Sequence, residues 1–467
     1  AGSALGIARA VAGGELSASE VVELHLERIA ELNPRLNAIV TLREDEARAE
    51  AAAADRRAEQ GGELPPLHGV PFVVKDAIAT AGVRSTAGSL LLRDFVPSRS
   101  ATAVTRLQDA GAIFLGKSNC PELALDPMTD NRLFGLTLNP IDERVTVGGS
   151  SGGDAAAVAS GCAALGLGSD YGGSIRWPAQ CTGIVGLRAT VGLVPLTGGL
   201  PFPPGAELAT PSSAAILSRL QTFGPLARSV QDLFAALQAI AGPDGVDPNA
   251  VPVPLGDPGS VDVAGLACAW TDGEGTEQAR PDLVRAVERA AACLERLGLD
   301  VEQARPSGLD QAAAVFQAYR LADGLPVHAE LARGREDELA ETMSSWFAAL
   351  GTRPPTMVTE YQAIAARRDA IRARVLEFME RRPILLLPVS LEPPWRLGSA
   401  DFGQRFRNMT PCWAITLLGF PSLSIPCGRT EEGLPASIQV VGRPFADHEV
   451  VAVATALERE LGSWRDA

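Results

Sequence analysis

GGSSGGDAAAVASGCAALGLGSDYGGSIRWPA, residues 148–179, holds two Gly-Gly-Ser turns whose serines, Ser150 and Ser174, stand 24 positions apart. Glycine admits positive φ and lets a ligand approach backbone N–H groups closely. Serine supplies a hydroxyl that becomes a nucleophile when a base is near. Between the turns, Asp154–Cys162 reads as a helix of small residues and Ala163–Gly168 as a short buried strand. Loop, helix, strand, loop is an order that returns both serines to one edge of a sheet.

Working outward, the chain alternates strand and helix patterns. Leu16-Ser17-Ala18-Ser19-Glu20-Val21 has the form of a capping box with a hydrophobic staple, and Asn33-Pro34 is expected to end the helix it opens. His25 falls among Glu23, Glu27 and Arg28, which predicts a solvated face. Leu36–Leu42 reads as a strand and is followed by an Ala/Glu/Arg helix to about Glu59. Gly69–Val74 is an apolar strand that delivers Lys75-Asp76. A lysine there either pairs, with Asp76 as the candidate, or titrates low. Thr102–Ala110 reads as helix and Ala112–Leu115 as strand.

Beyond the two turns, a Gly/Pro-rich run extends to about Pro211, and Gly224–Val230 leads into another helix. Gly242–Ser260 reads as a surface connection. Strands are expected at Leu266–Trp270, Leu299–Glu302, Pro383–Val389, Leu423–Pro426 and Ser437–Val441, with helices at Pro281–Leu297 and His448–Leu461. A mostly helical section covers about 309–380, and its Trp346, Phe347 and Tyr361 would suit a pocket cover, with a satellite core as the favoured reading. The alternation predicts an α/β fold with helices on both faces of a sheet.

Composition narrows the functional classes. A chain of 467 residues with 46% hydrophobic and 21% charged residues is ordinary for a globular protein. A net charge of −15 argues against a nucleic-acid or anionic-membrane surface. Seven scattered cysteines without a CxxC pair suit a reduced, cytoplasmic setting with neither zinc site nor disulfide framework. No signal-peptide pattern is present, nor an apolar run of ~18 residues that would span a membrane. Only two of the 41 basic residues are lysines, Lys75 and Lys117. Arginine stays protonated in proteins, whereas a desolvated lysine can release its proton and act as a base.

Three chemical readings follow from these residues. Gly148-Gly149-Ser150-Ser151-Gly152 fits a GxSxG nucleophile elbow, with Arg144–Val147 as the strand before it and the helix from Asp154 after it. That reading needs a downstream histidine, and His448, next to Asp447, is the better placed of the two available. A second reading makes Lys75 the base for a Ser–Ser–Lys set that performs acyl transfer without histidine. A third makes the glycine turns anion-binding nests in a protein that only binds. The scarcity of histidine and the rarity of lysine favour the second. Gly111–Ser118 matches GxxxxGK[ST], but the residues between its glycines are themselves an apolar strand, and Pro121 follows too soon for the phosphate-binding helix.

The central stretch resembles the amidase signature family, in GGSSGG and in the GSDxGGSIRxPA run. The resemblance extends through HGVPFVVKDAIATAGVRSTAGS, GKSNCPEL, LFGLTLNP, GLRATVG, GPLARSVQDL, GFPSLSIPCG and GLPASIQVVGRPF, in family order. It implies one amidase domain over 1–467, built on a large mixed sheet, with a more helical section over roughly 270–400 that covers the active site. It implies Ser174 as acyl nucleophile, Ser150 as bridging serine on a cis bond after Gly149, and Lys75 as general base. The N–H groups of Tyr171, Gly172, Gly173 and Ser174 would form the oxyanion hole. Ser151, Asp170 and Arg176 would support the turns, and Lys117 would be structural.

The implied substrate is a small-molecule amide, with no cofactor or metal and a monomeric or homodimeric protein. Some positions depart from the family pattern. Tyr171 is bulkier than the usual residue and is expected to narrow one wall of the pocket. Ala124, aligned with a pocket position of fatty-acid amide hydrolases, is small. The helical section lacks the GxEVxRRI-type run of the A subunit of glutamyl-tRNA(Gln) amidotransferase, and TVGLVP departs from that subunit's TYGRVS. These differences favour a stand-alone amide hydrolase over an amidotransferase component.

Overall fold

A computed structural model describes residues 2–202 and 219–464. The Gly/Pro-rich run to Pro211 lies partly outside the described residues. The strands are β1 (Ile39–Leu42), β2 (Pro71–Lys75), β3 (Ile113–Ser118), β4 (Leu165–Asp170), β5 (Val185–Arg188), β6 (Thr222–Ala227), β7 (Ala267–Trp270), β8 (Asp300–Gln303), β9 (Ile384–Pro388), β10 (Ser422–Arg429) and β11 (Pro435–Val441). They form one mixed sheet in the order β1-β3-β2-β4-β6-β5-β10-β11-β9-β7-β8. Two parallel blocks, β2 with β3 and β4, and β7 with β8 and β9, flank an antiparallel middle, and β1 joins the edge antiparallel to β3.

Helices cover both faces, and β9 shows why a continuous apolar run was needed there. Ile384 and Leu386 join one hydrophobic core, while Leu385 and Leu387 join another. The first core holds the helices Val230–Ile240, Pro281–Arg296 and Asp447–Leu461, and the second holds Leu309–Asp323, Val358–Arg381 and Thr410–Leu418. The helical section thus packs on one face of the sheet. Trp346, Phe347 and Tyr361 are partly buried against that second core, as a satellite core should be.

The capping box of the second helix is present, with Ser17 accepting from the Glu20 N–H and Glu20 accepting from the Ser17 N–H. Three local expectations need correction. Pro34 lies inside this helix, which runs Ala18–Leu36 and ends on Asn37 in the left-handed region; the Asn33 side chain accepts from the N–H groups of Ala38 and Ile39 instead of ending the helix. His25 is buried, not solvated, and its Nδ1 lies 2.8 Å from the Val21 carbonyl oxygen. Arg144–Val147 forms no strand, only isolated bridges. The strand-before-serine geometry of a GxSxG elbow is therefore missing.

Around the two turns, residue size sets the packing. The helix Gly152–Ala159 lies so close to β4 that a Cβ on Gly166 would stand 3.0 Å from Asp154 Cβ. Small residues on both elements permit that approach. β4 continues to Asp170, two residues beyond the expected end, and brings Ser169 and Asp170 into the sheet directly before the second turn.

Candidate active site

Lys75 is the last residue of β2 and is fully buried. Its Nζ lies 2.7 Å from Ser150 Oγ, 3.0 Å from Ser169 Oγ and 3.2 Å from Ser151 Oγ. Among the described residues no carboxylate forms an ion pair with it. Of the two outcomes expected for this lysine, pairing with Asp76 does not occur. Asp76 accepts from the Thr86 and Gly88 N–H groups and from the Thr86 hydroxyl. Burial pushes the Lys75 ammonium down to about 8, against the pull of Asp154 and Asp170. Asp154, also fully buried, is pushed up to about 7 by the same desolvation. The other lysine, Lys117, sits within β3, so the GK[ST] run is strand and not phosphate loop. It donates to the Ile78 carbonyl and to Thr80 Oγ1 and lines no cleft with the serines.

The two turns meet. Ser151 N–H donates to the Ser174 carbonyl at 3.0 Å, and the Ser169 N–H donates to Ser151 Oγ at 3.3 Å. The Gly149–Ser150 peptide bond is cis, as the resemblance implied. Gly153 has no room for a side chain, since a Cβ there would stand 2.5 Å from the Asn119 carbonyl oxygen. Ser150 is buried beside Lys75, while Ser174 is only partly covered and opens into the cleft.

Asp170 organises the second turn. Its carboxylate accepts from the Gly173 N–H at 2.8 Å, the Ile175 N–H at 3.1 Å, and Arg176 Nε and Nη2 at 3.0 and 2.9 Å. Burial raises this carboxyl, but the Arg176 and Arg188 guanidinium groups outweigh it and hold the group well below the usual carboxylate range. Arg176 reaches on to Gln439 and Thr416, and Arg188 donates to the Asp170 carbonyl. Asp170 and Arg176 thus tie the turn together by hydrogen bonds. The expected donor set needs one change: the Gly173 N–H is already engaged by Asp170. The N–H groups of Tyr171, Gly172 and Ser174 remain as candidates. Gly173 itself sits at φ +115°, and a Cβ there would lie 2.9 Å from Cys412 Cβ.

Two adjoining clefts share Ser174, Ala124, Leu125 and Tyr171. One, about 710 Å³, is lined also by Ser150, Ser169, Leu200, Val327 and His328. The other, about 410 Å³, is walled by Phe316, Arg320, Phe406 and Trp413. Tyr171 lines both clefts and packs on Phe316 with ring centroids 5.2 Å apart. Ala124 lines both clefts. His448 is not among the lining residues. It starts the last helix beside Gly256, and its neighbour Asp447 is bound to Thr190.

Sequence reasoning passed over Ser169, Arg188 and Arg320. Ser169 had a signal, because alternate residues of a strand ending at Asp170 share a face. Arg188 lies within the GLRATVG block, 14 residues after Ser174, but nothing in that block pointed to Asp170; Arg320 lies remote in sequence from both turns and had no signal.

Known proteins share this architecture. The Amidase family profile matches residues 20–451. The chain is 34% identical to the A subunit of glutamyl-tRNA(Gln) amidotransferase from Symbiobacterium thermophilum, over 98% of this chain and 96% of that one. It is 35% identical to indoleacetamide hydrolase of Bradyrhizobium diazoefficiens, over 98% and 86%. The structure of a bacterial aryl acylamidase superposes with a TM-score of 0.87 at 28% identity, covering 100% of this chain and 97% of the other. The profile match, the two relatives and the shared architecture place the chain among the amidase signature enzymes, the family to which it belongs.

Proposed function

We propose that this chain hydrolyses a small-molecule carboxylic amide to an acid and ammonia or an amine, through an acyl-enzyme on Ser174. One observation carries the reading. The basic group in contact with Ser150 is a fully buried lysine with no carboxylate ion pair among the described residues, its Nζ 2.7 Å from Ser150 Oγ. Neutral Lys75 takes the Ser150 proton while Ser150 Oγ takes the proton of Ser174, and Ser174 Oγ attacks the amide carbon. The N–H groups of Tyr171, Gly172 and Ser174 receive the developing oxyanion, where one such donor is worth about 3 kcal/mol. The proton returns along the same path to the departing amine as the C–N bond breaks. Water then attacks the acyl ester, passing its proton inward, and restores Ser174. Ser151 and Ser169 hold the Lys75 amine toward Ser150. None of these steps calls on a cofactor.

The identity to an amidotransferase A subunit favours a second reading, in which the chain releases ammonia for partner subunits. The apolar and aromatic cleft walls, and the absence of a GxEVxRRI-type run, support hydrolysis by the chain alone. Ammonia release from a panel of simple amides by the purified chain tests the choice. Turnover that Ser174→Ala and Lys75→Ala abolish is expected. Turnover seen only after partner subunits are added would establish the second reading.

A further inference from the structure

Arg320 stands in the wall of the smaller cleft and is 8% exposed. Its guanidinium lies over three rings, 4.5 Å from the Phe406 centroid, 5.2 Å from Trp413 and 5.3 Å from Trp346. Among the described residues it forms no ion pair, and its only side-chain hydrogen bond is a long one, Nη1 to Gln317 Oε1 at 3.4 Å. Ring faces offset part of the desolvation of a buried cation, but they leave its N–H donors unsatisfied. Tyr171, in the same wall, has its hydroxyl buried without a hydrogen-bond partner. The nearby acid in that wall, Asp126, is already taken by Arg405 at 3.1 Å and the Met128 N–H at 2.9 Å. A cation therefore stands in the wall of a small cleft that opens on Ser174, with the buried Tyr171 hydroxyl in its field; among the described residues, no acid other than Asp126 lines that cleft, and Asp323, whose charge also acts on Tyr171, lines the adjoining one. A carboxylate is the group whose geometry a guanidinium meets with paired N–H donors.

We propose that Arg320, assisted by Tyr171, binds a carboxylate on the substrate, so that the preferred substrates are amides carrying a second, ionised carboxyl group. This rests on the acyl-enzyme reading and names its substrate class.

Matched amides test it: glutaramate against pentanamide, and 4-carbamoylbenzoate against 4-methylbenzamide. Two readouts are taken, kcat/KM for ammonia release and protection of Ser174 from a fluorophosphonate. The carboxylate member of at least one pair is expected to win by tenfold or more in one of these readouts. Arg320→Met should reduce that ratio below threefold, mainly through KM, and Arg320→Lys should keep an intermediate preference. Circular dichroism identifies a variant that fails to fold, in which case the lysine variant and Tyr171→Phe decide. Ratios within threefold in both pairs of the native chain, a preference for the neutral members, or a ratio unchanged in folded Arg320→Met would overturn the proposal. If the native Ser174 takes no label, the acyl-enzyme reading itself fails and the substrate class falls with it.

Discussion

Lys75, the proposed base, combines two properties that pull against each other: it is fully buried, yet a base must stay able to accept a proton. Burial settles this by lowering its titration to about 8 from 10.5 in an unfolded chain. The sign follows directly. Between those values the unfolded chain holds more protons than the folded one, so both folding stability and the active, neutral fraction rise with pH. We expect kcat/KM to climb through an apparent midpoint near pH 8 and then level off. A profile that falls between pH 7 and 9 would contradict Lys75 as base. Lys75→Ala should cost at least ~100-fold in rate, the scale of a general base. His448→Ala should stay within about threefold, because its side chain is remote from the cleft. A ~100-fold loss there would return the GxSxG reading to consideration.

The second turn works as an element because β4, the turn and the helix Arg176–Thr182 are tied together by one buried carboxylate. Asp170→Asn keeps the shape but leaves Arg176 buried without its counter-ion, and breaking such a pair costs roughly 3–5 kcal/mol. Urea unfolding should show that loss, while an effect below ~1 kcal/mol, the scale of an exposed pair, would mean that the clamp is dispensable. Much of this element was legible in the sequence. The small-residue helix, the strand and the Gly-Ser turns were each written in residues 148–179, since glycine and alanine runs mark close backbone approach. β6 was not legible. Its Gly224 and Pro225 argue against a strand, yet Pro225 lies just beyond the last β6 residue paired with β5, so no ladder partner stands opposite it on that side. β5, four residues long among glycines, was hidden for a similar reason. The partner of Lys75 was open between Asp76 and none. Only the register of β2 against β3 and β4, fixed by tertiary packing, turns the amine toward three serines.

At the scale of the molecule, one sheet joins β2, which carries Lys75, to β4, which leads to Ser174, as direct neighbours. Their parallel pairing holds Lys75 at a fixed depth beneath both turns. The helical section contributes Phe316, Arg320 and His328 to the clefts, from a part of the chain far in sequence from both turns. That division explains why the serine turns and Lys75 were readable from motifs and most of the cleft lining was not. All seven cysteines are buried and unpaired. The melting temperature should therefore be the same with and without a thiol reductant, and a fall on reduction would mean that a disulfide forms. No helix among the described residues is long and apolar enough to cross a membrane. Size-exclusion chromatography of the pure chain, run alongside the amide panel, should show a monomer or homodimer that is active without other subunits.

Covalent labelling with a fluorophosphonate, mapped by peptide mass spectrometry, addresses the Ser–Ser–Lys mechanism most directly. A tag on Ser174 in the native chain, lost in Lys75→Ala and kept in His448→Ala, is the expected result. A tag on Ser150 that depends on His448 would contradict the mechanism and assign the first turn as the nucleophile.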